Sequence, residues 1–177
     1  MGMGVCFGVS ITEMILRRKY YWIVLFCLLP ALPVLAAVGD TIPRPEGYVN
    51  DFEHLFTREQ VDTLDDLLHV YEQRTSIEIA VMTIDTSLTL AANFDFFTLK
   101  TMSAWGVGKK EKNNGILIGI SRSFRKIRIQ NGSGIEKMLP NVQTKKIIDE
   151  AFIPFFKKGQ YYEGTLNGLK TLMQRLE

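Results

Sequence analysis

Cysteine is all but missing from this chain of 177 residues: Cys6 and Cys27 are its two examples. Both precede residue 37, so the remainder can form no disulfide and offers neither a thiol nucleophile nor a thiolate ligand. Histidine is as scarce. With only His54 and His69 available, a Cys/His zinc site is excluded downstream of the N-terminal segment, and a serine-hydrolase triad has few candidate bases. Long apolar runs are lacking too. The run Tyr20–Leu29 has ten residues before Pro30 interrupts it, against roughly 20 for a helix that crosses a bilayer.

What that short run does resemble in layout is an export signal. Arg17, Arg18 and Lys19 precede it, and Pro33 and the pair Ala36-Ala37 follow it, which is the basic, apolar and small-residue order of a secretory signal peptide. Cleavage is expected after Ala36, with Ala37 as the near alternative, because Val34 and Ala36 supply small side chains at the two recognition positions. Translation is expected to begin at Met14, since the residues ahead of it carry no pattern. The alternative is a domain tethered to the membrane by an uncleaved Tyr20–Leu35 segment. Phe26 beside Cys27 argues against lipoprotein processing.

Loss of residues 1–36 removes three of the 21 basic residues and one of the 19 acids, which leaves 18 of each. A neutral balance argues against a general nucleic-acid binder. The charges are nonetheless segregated. Residues 46–72 hold eight acids and one base, and residues 100–128 hold eight bases and one acid.

Residues 37–46, with Pro43 and Pro45, read as an extended linker, and the folded domain is expected over 47–177. Thr57 and Gln60 form a capping pair ahead of a helix with Val61, Leu64, Leu68 and Tyr71 on one face. Ile77–Ile84 and Ile116–Ile120 are nearly all apolar, as strands buried on both faces are. Leu90–Trp105 between them has helical spacing and stops at Gly106, so the three make a right-handed parallel crossover unit. Lys126–Gln130 alternates charge with Ile127 and Ile129, and predicts a half-exposed antiparallel strand whose charges guard a sheet edge. Asn141 is placed to cap a further helix that Pro154 kinks or ends. Tyr161–Leu176 forms the last helix, in which Gly164 and Gly168 are suited to close packing. One α/β domain of helices before, between and after the strands of a small mixed sheet accounts for residues 47–177.

Antiparallel pairing of the last two strands brings the loop 112–115 beside the loop 131–136. Asn113, Asn114, Ser133 and Glu136 are thereby gathered at one sheet end, where oxygen ligands suit a hard cation such as calcium. Asn-Gly and Gly-Ser-Gly also serve as ordinary turn chemistry. Gly132-Ser133-Gly134 lacks the spacing of a nucleophile elbow, and Gly106-Val107-Gly108-Lys109-Lys110 lacks that of a phosphate loop. Most aromatic residues, among them Phe94, Phe96, Phe97, Trp105, Phe152, Phe155 and Phe156, are expected in the core.

Taken in order, Gly47-Tyr48-Val49-Asn50-Asp51, Trp105-Gly106-Val107-Gly108, Asn113-Asn114-Gly115-Ile116-Leu117, Gly132-Ser133-Gly134-Ile135-Glu136, Leu139-Pro140 and Ile153-Pro154 resemble the TPM domain family across residues 45–177. The resemblance implies a three-layer αβα sandwich, frequently exported. Its members include a thylakoid-lumen protein with acid phosphatase activity, a photosystem repair factor and a receptor-modulating protein, so fold does not fix function. It also implies a divalent-metal site, calcium above all, at Asp51, Asn113, Asn114, Glu136 and Asn141. Asp51 and Glu136 keep their carboxylates and are the candidate catalytic groups. Asn113 and Asn141 stand where the family has Asp, and each exchange removes charge that would hold the cation. Weak calcium binding or none is the expectation.

Two functions fit these features. The first is a periplasmic or secreted module, free of any lasting membrane span, that acts without catalysis on an envelope protein partner in binding, assembly or repair. The second is a calcium-dependent phosphomonoester hydrolase, which needs the cation to neutralise phosphate charge and activate water.

Overall fold

The computed structural model describes residues 41–177. The expected signal peptide, its cleavage point, the Met14 start, the alternative membrane tether and the first residues of the linker lie outside the described residues. Within them, no helix is long and apolar enough to cross a membrane.

A three-residue strand, β1 (Val49–Asp51), opens the sheet. It is too short for alternation to reveal and was not expected. Thr57 then starts helix α1 (Arg58–Thr75) through the predicted capping box: its side chain accepts from the Gln60 amide, and the Gln60 side chain accepts from the Thr57 amide. Leu64, Leu68 and Tyr71 bury the apolar stripe of α1, and Ser76 in the left-handed region ends it. Strand β2 (Glu78–Thr83) follows, then helix α2 (Phe94–Trp105) after a short 3-10 turn. Gly106 closes α2 with a φ of 68°, as its position suggested.

Strands β3 (Gly115–Ser121) and β4 (Lys126–Asn131) complete a sheet in the order β1-β2-β3-β4. The β1–β2 and β2–β3 pairs are parallel and the β3–β4 pair is antiparallel, so both the crossover unit and the mixed sheet stand as predicted. β1 and β4 are the edges.

After β4 come a single turn, α3 (Ser133–Glu136), and helix α4 (Asn141–Ile147), which runs through a π-helical segment (Ile148–Phe152) into α5 (Ile153–Phe156). Two expectations change here. Pro140, not Asn141, holds the cap position, and Asn141 is the first helical residue. Of the two outcomes expected at Pro154, a kink or an end, the end does not occur: the helix continues through the proline to Phe156. The widened π turn ahead of it relieves the clash that a proline ring otherwise makes with the carbonyl four residues back. Helix α6 (Tyr161–Leu176) ends the described chain.

Two cores flank the sheet. On one face Val81, Ile116, Ile118 and Ile129 pack against Leu64 and Leu68 of α1, Phe152, and Leu169 and Leu172 of α6. On the other, Ala80, Met82 and Leu117 pack against Phe94 and Phe97 of α2. Helix, sheet and helix form the three layers. The close packing expected at Gly164 and Gly168 is with aromatic rings: a β-carbon on Gly168 would lie 2.1 Å from the Phe152 ring, and one on Gly164 2.7 Å from that of Phe156. Phe96 departs from the expected core and is 59% exposed, because the spacing of α2 turns Phe94 and Phe97 inward instead. Ile42 packs on the second core and the Trp105 indole N–H donates to the Pro43 carbonyl at 2.7 Å, so the end of the linker is strapped to the domain.

Candidate functional site

The two loops expected to meet at one sheet end do meet. The Gly132 N–H donates to the Gly115 carbonyl at 2.8 Å and the Gly134 N–H to the Asn113 carbonyl at 3.0 Å. Glycine is required at 132 and 134 by this approach, since a β-carbon at either would stand 2.2 Å from a carbonyl oxygen of the facing loop. Asn114 is buried and committed: its amide nitrogen donates to the Ser76 carbonyl, and its oxygen accepts the Lys109 N–H at 3.0 Å. Asn113 and Glu136 are exposed, and their side chains make no hydrogen bond or ion pair with another described residue. Asn141 is exposed at the start of α4, which Asn131 ties to the same rim by donating to the Leu139 carbonyl and to Thr144 Oγ1.

Asp51 is elsewhere, which overturns the expected convergence on it. β1 runs parallel to β2 with Asp51 opposite Thr83, at the carboxyl ends of the parallel strands, whereas Asn113 and Asn114 precede β3 at the amino ends, just before Gly115, which lies opposite Glu78. The five residue steps between those levels amount to roughly 16 Å. The Asp51 carboxylate is also engaged. Oδ1 accepts the Leu55 N–H at 3.0 Å and the Thr83 hydroxyl at 2.6 Å, and Oδ2 accepts the Phe56 N–H at 2.8 Å. Among the described residues, no group of three or more His, Cys, Asp or Glu side chains stands together as a metal site.

Beside Asp51 lies a carboxylate that sequence reasoning passed over. Glu53 is 6% exposed; its oxygens accept the Arg122 and Ser123 N–H groups, each at 2.7 Å, and its own N–H donates to Thr83 Oγ1 at 2.8 Å. It staples the exit of β1 to the β3–β4 turn, which clasps the carboxylate with successive backbone amides. Its partners are 69 and 70 residues away, so no local pattern announces it.

Tyr48 packs on the first core; its hydroxyl donates to Glu72 Oε2 at 2.6 Å, and its pKa is pushed up to about 12, mainly by that hydrogen bond. Asp85 is held below the usual carboxylate range, first by the Ser87 N–H.

Hollows follow the outer edge of β4. Two adjoining clefts, of about 630 and 720 Å³, share Arg125, Lys126, Ile127 and Ile153. Asp95 of α2 lines one wall, and Ile148 with Ile153 the other.

A mixed four-stranded sheet between two helical layers, with glycine-mediated contact between the loops at one rim, defines the class as a three-layer αβα sandwich. The TPM domain model matches residues 49–175, and the chain belongs to the TPM domain family. Solved structures are similar over most of their length. The N-terminal domain of a P. gingivalis protein is 32% identical at a TM-score of 0.66, covering 73% of this chain and 81% of its own. The BA42 protein from Bizionia argentinensis is 22% identical at 0.57, covering 71% and 83%, and the N-terminal domain of a Corynebacterium glutamicum protein is 11% identical at 0.55, covering 78% and 86%; these two speak for the fold alone. No curated protein matches the chain.

Proposed function

We propose that this TPM domain acts without catalysis, as an exported module that binds a protein of the cell envelope and serves its assembly or repair. One observation carries the reading. The Asp51 carboxylate, which a calcium-dependent hydrolase of the kind weighed above would need beside Asn113 and Glu136, spends both oxygens on three donors at the opposite end of the strands. Glu136 is then the one carboxylate of the expected set at the Asn113 rim. A single carboxylate with neutral amides gives little attraction for a cation that must also carry a phosphate dianion.

The test is turnover of p-nitrophenyl phosphate by the purified protein in millimolar calcium, paired with affinity capture from an envelope extract. Background hydrolysis and a specific captured partner are expected. Efficient turnover that disappears in a folded Glu136→Ala variant would establish the phosphatase reading instead. Export is checked by the mass of the mature protein, expected to begin at Ala37.

A further inference from the structure

Among the described residues no further strand pairs with the outer edge of β4, and the pairing with β3 fixes the hydrogen-bonding phase of that edge. Bonded and non-bonded pairs alternate along an antiparallel ladder. The bond from the Gly132 N–H to the Gly115 carbonyl sets that phase, so Lys126, Arg128 and Gln130 direct their backbone groups at β3. Ile127 and Ile129 direct theirs outward. No other described residue hydrogen-bonds those outward groups, and Ile127 and Ile129 both line the cleft that runs along the edge. A strand edge left in this state is a template for another chain.

The surroundings say what kind of chain. The two clefts along the edge hold Arg122, Arg125, Lys126, Arg128, Lys145 and Lys157 against Asp95 and Asp149. Asp149 is taken by Lys145. Arg122, Arg125, Arg128 and Lys157 have no acidic partner among the described residues. Beneath these charges the floor is apolar, with Ile127, Ile148, Ile153 and Phe156. Such a basic edge repels a second copy of itself.

We infer that the β4 edge groove docks an extended, acidic segment of a partner protein, which adds as a fifth strand. Its backbone pairs with Ile127 and Ile129, its apolar side chains lie on Ile148 and Ile153, and its carboxylates meet Arg125, Arg128 and Lys157. Main-chain bonds supply the affinity and alternate side chains the selectivity, as in other strand-addition complexes. The inference deepens the binding reading above and rests on it.

The probe is a fluorescein-labelled, end-blocked peptide, Glu-Val-Glu-Val-Glu-Val-Glu, titrated into the full protein and followed by anisotropy. Saturable binding is expected, weakened about tenfold or more by the double variant Arg125→Glu/Arg128→Glu and by high salt, as complementary charges require. Both arginines are exposed, and an unchanged thermal midpoint certifies that the variant is folded. The same peptide N-methylated at its valines keeps every charge and loses backbone donors, so it should fail to bind. Equal binding of the N-methylated peptide would overturn strand addition, as would displacement of both peptides alike by inorganic phosphate, which would make the groove a plain anion site. Capture of one envelope partner equally by the wild type and the double variant would overturn the groove and leave the binding reading standing. Catalytic turnover would remove the binding reading itself.

Discussion

The hydroxyl of Thr83 donates to Asp51 Oδ1 at 2.6 Å while accepting the amide of Glu53 at 2.8 Å, so one side chain at the end of β2 couples two acids on the exit of β1. Thr83→Val keeps the shape and removes both bonds, leaving the Glu53 amide unpaired. A loss of about 1–3 kcal/mol is expected in urea unfolding, with the slope unchanged.

Asp51→Ala strips an acceptor from two amides and the Thr83 hydroxyl at once. We expect it to cost about 3 kcal/mol, at the upper end for bonds to a charged group. The loss should be the same with calcium and with a chelator. A loss seen in calcium alone would return Asp51 to a metal-binding role.

Glu136→Ala is expected to leave stability within about 0.5 kcal/mol, as for an exposed residue without partners. Correspondingly, millimolar calcium should leave the thermal midpoint of the wild type where it was, because only a ligand favouring the native state raises it. A rise in the wild type that is absent from Glu136→Ala would count for a working cation site.

Gly168→Ala should destabilise by about 1–3 kcal/mol, since the added methyl has no room beside the Phe152 ring at 2.1 Å. In an isolated helix the same change would stabilise by about 1 kcal/mol. Paired relief in Gly168→Ala/Phe152→Leu would assign the effect to that contact.

Tyr48 gives an alkaline signature. Its phenol is raised from 10.0 to about 12 in the fold, so the protonated form is the one the native state favours. Its contribution is complete below pH 10 and fades as the pH climbs through about 12. Tyr48→Phe should flatten that part of a stability-against-pH curve. If the two proteins fall in parallel above pH 10, the Glu72 hydrogen bond is not the source.

Much of the fold was legible because its determinants are local. Thr57 and Gln60 cap α1 from three residues apart, the apolar runs of β2 and β3 announce full burial, and Gly106 ends α2. The meeting of the Asn113 and Glu136 loops followed from antiparallel pairing alone. The position of Asp51 did not, since it depends on which strand β1 joins and in which direction, and three residues carry too little pattern to decide that. Glu53 was hidden for a related reason: a carboxylate bound by backbone amides leaves no complementary side chain in the sequence to find. The π turn before Pro154, whose Phe152 packs against Gly168 of α6, likewise leaves no mark in helix propensity.

The Glu53 clasp also bears on the order of events during refolding. A bond spanning some 70 residues, with both parallel crossovers inside its span, is expected to close only after those crossovers have docked. Its contribution is then expected to be absent at the folding barrier and present in the finished molecule. Glu53→Gln is expected to leave the folding limb of a chevron nearly untouched and to raise the unfolding limb, so that this acid sets how long the native state lasts; a slowed folding limb would place the clasp in the barrier instead.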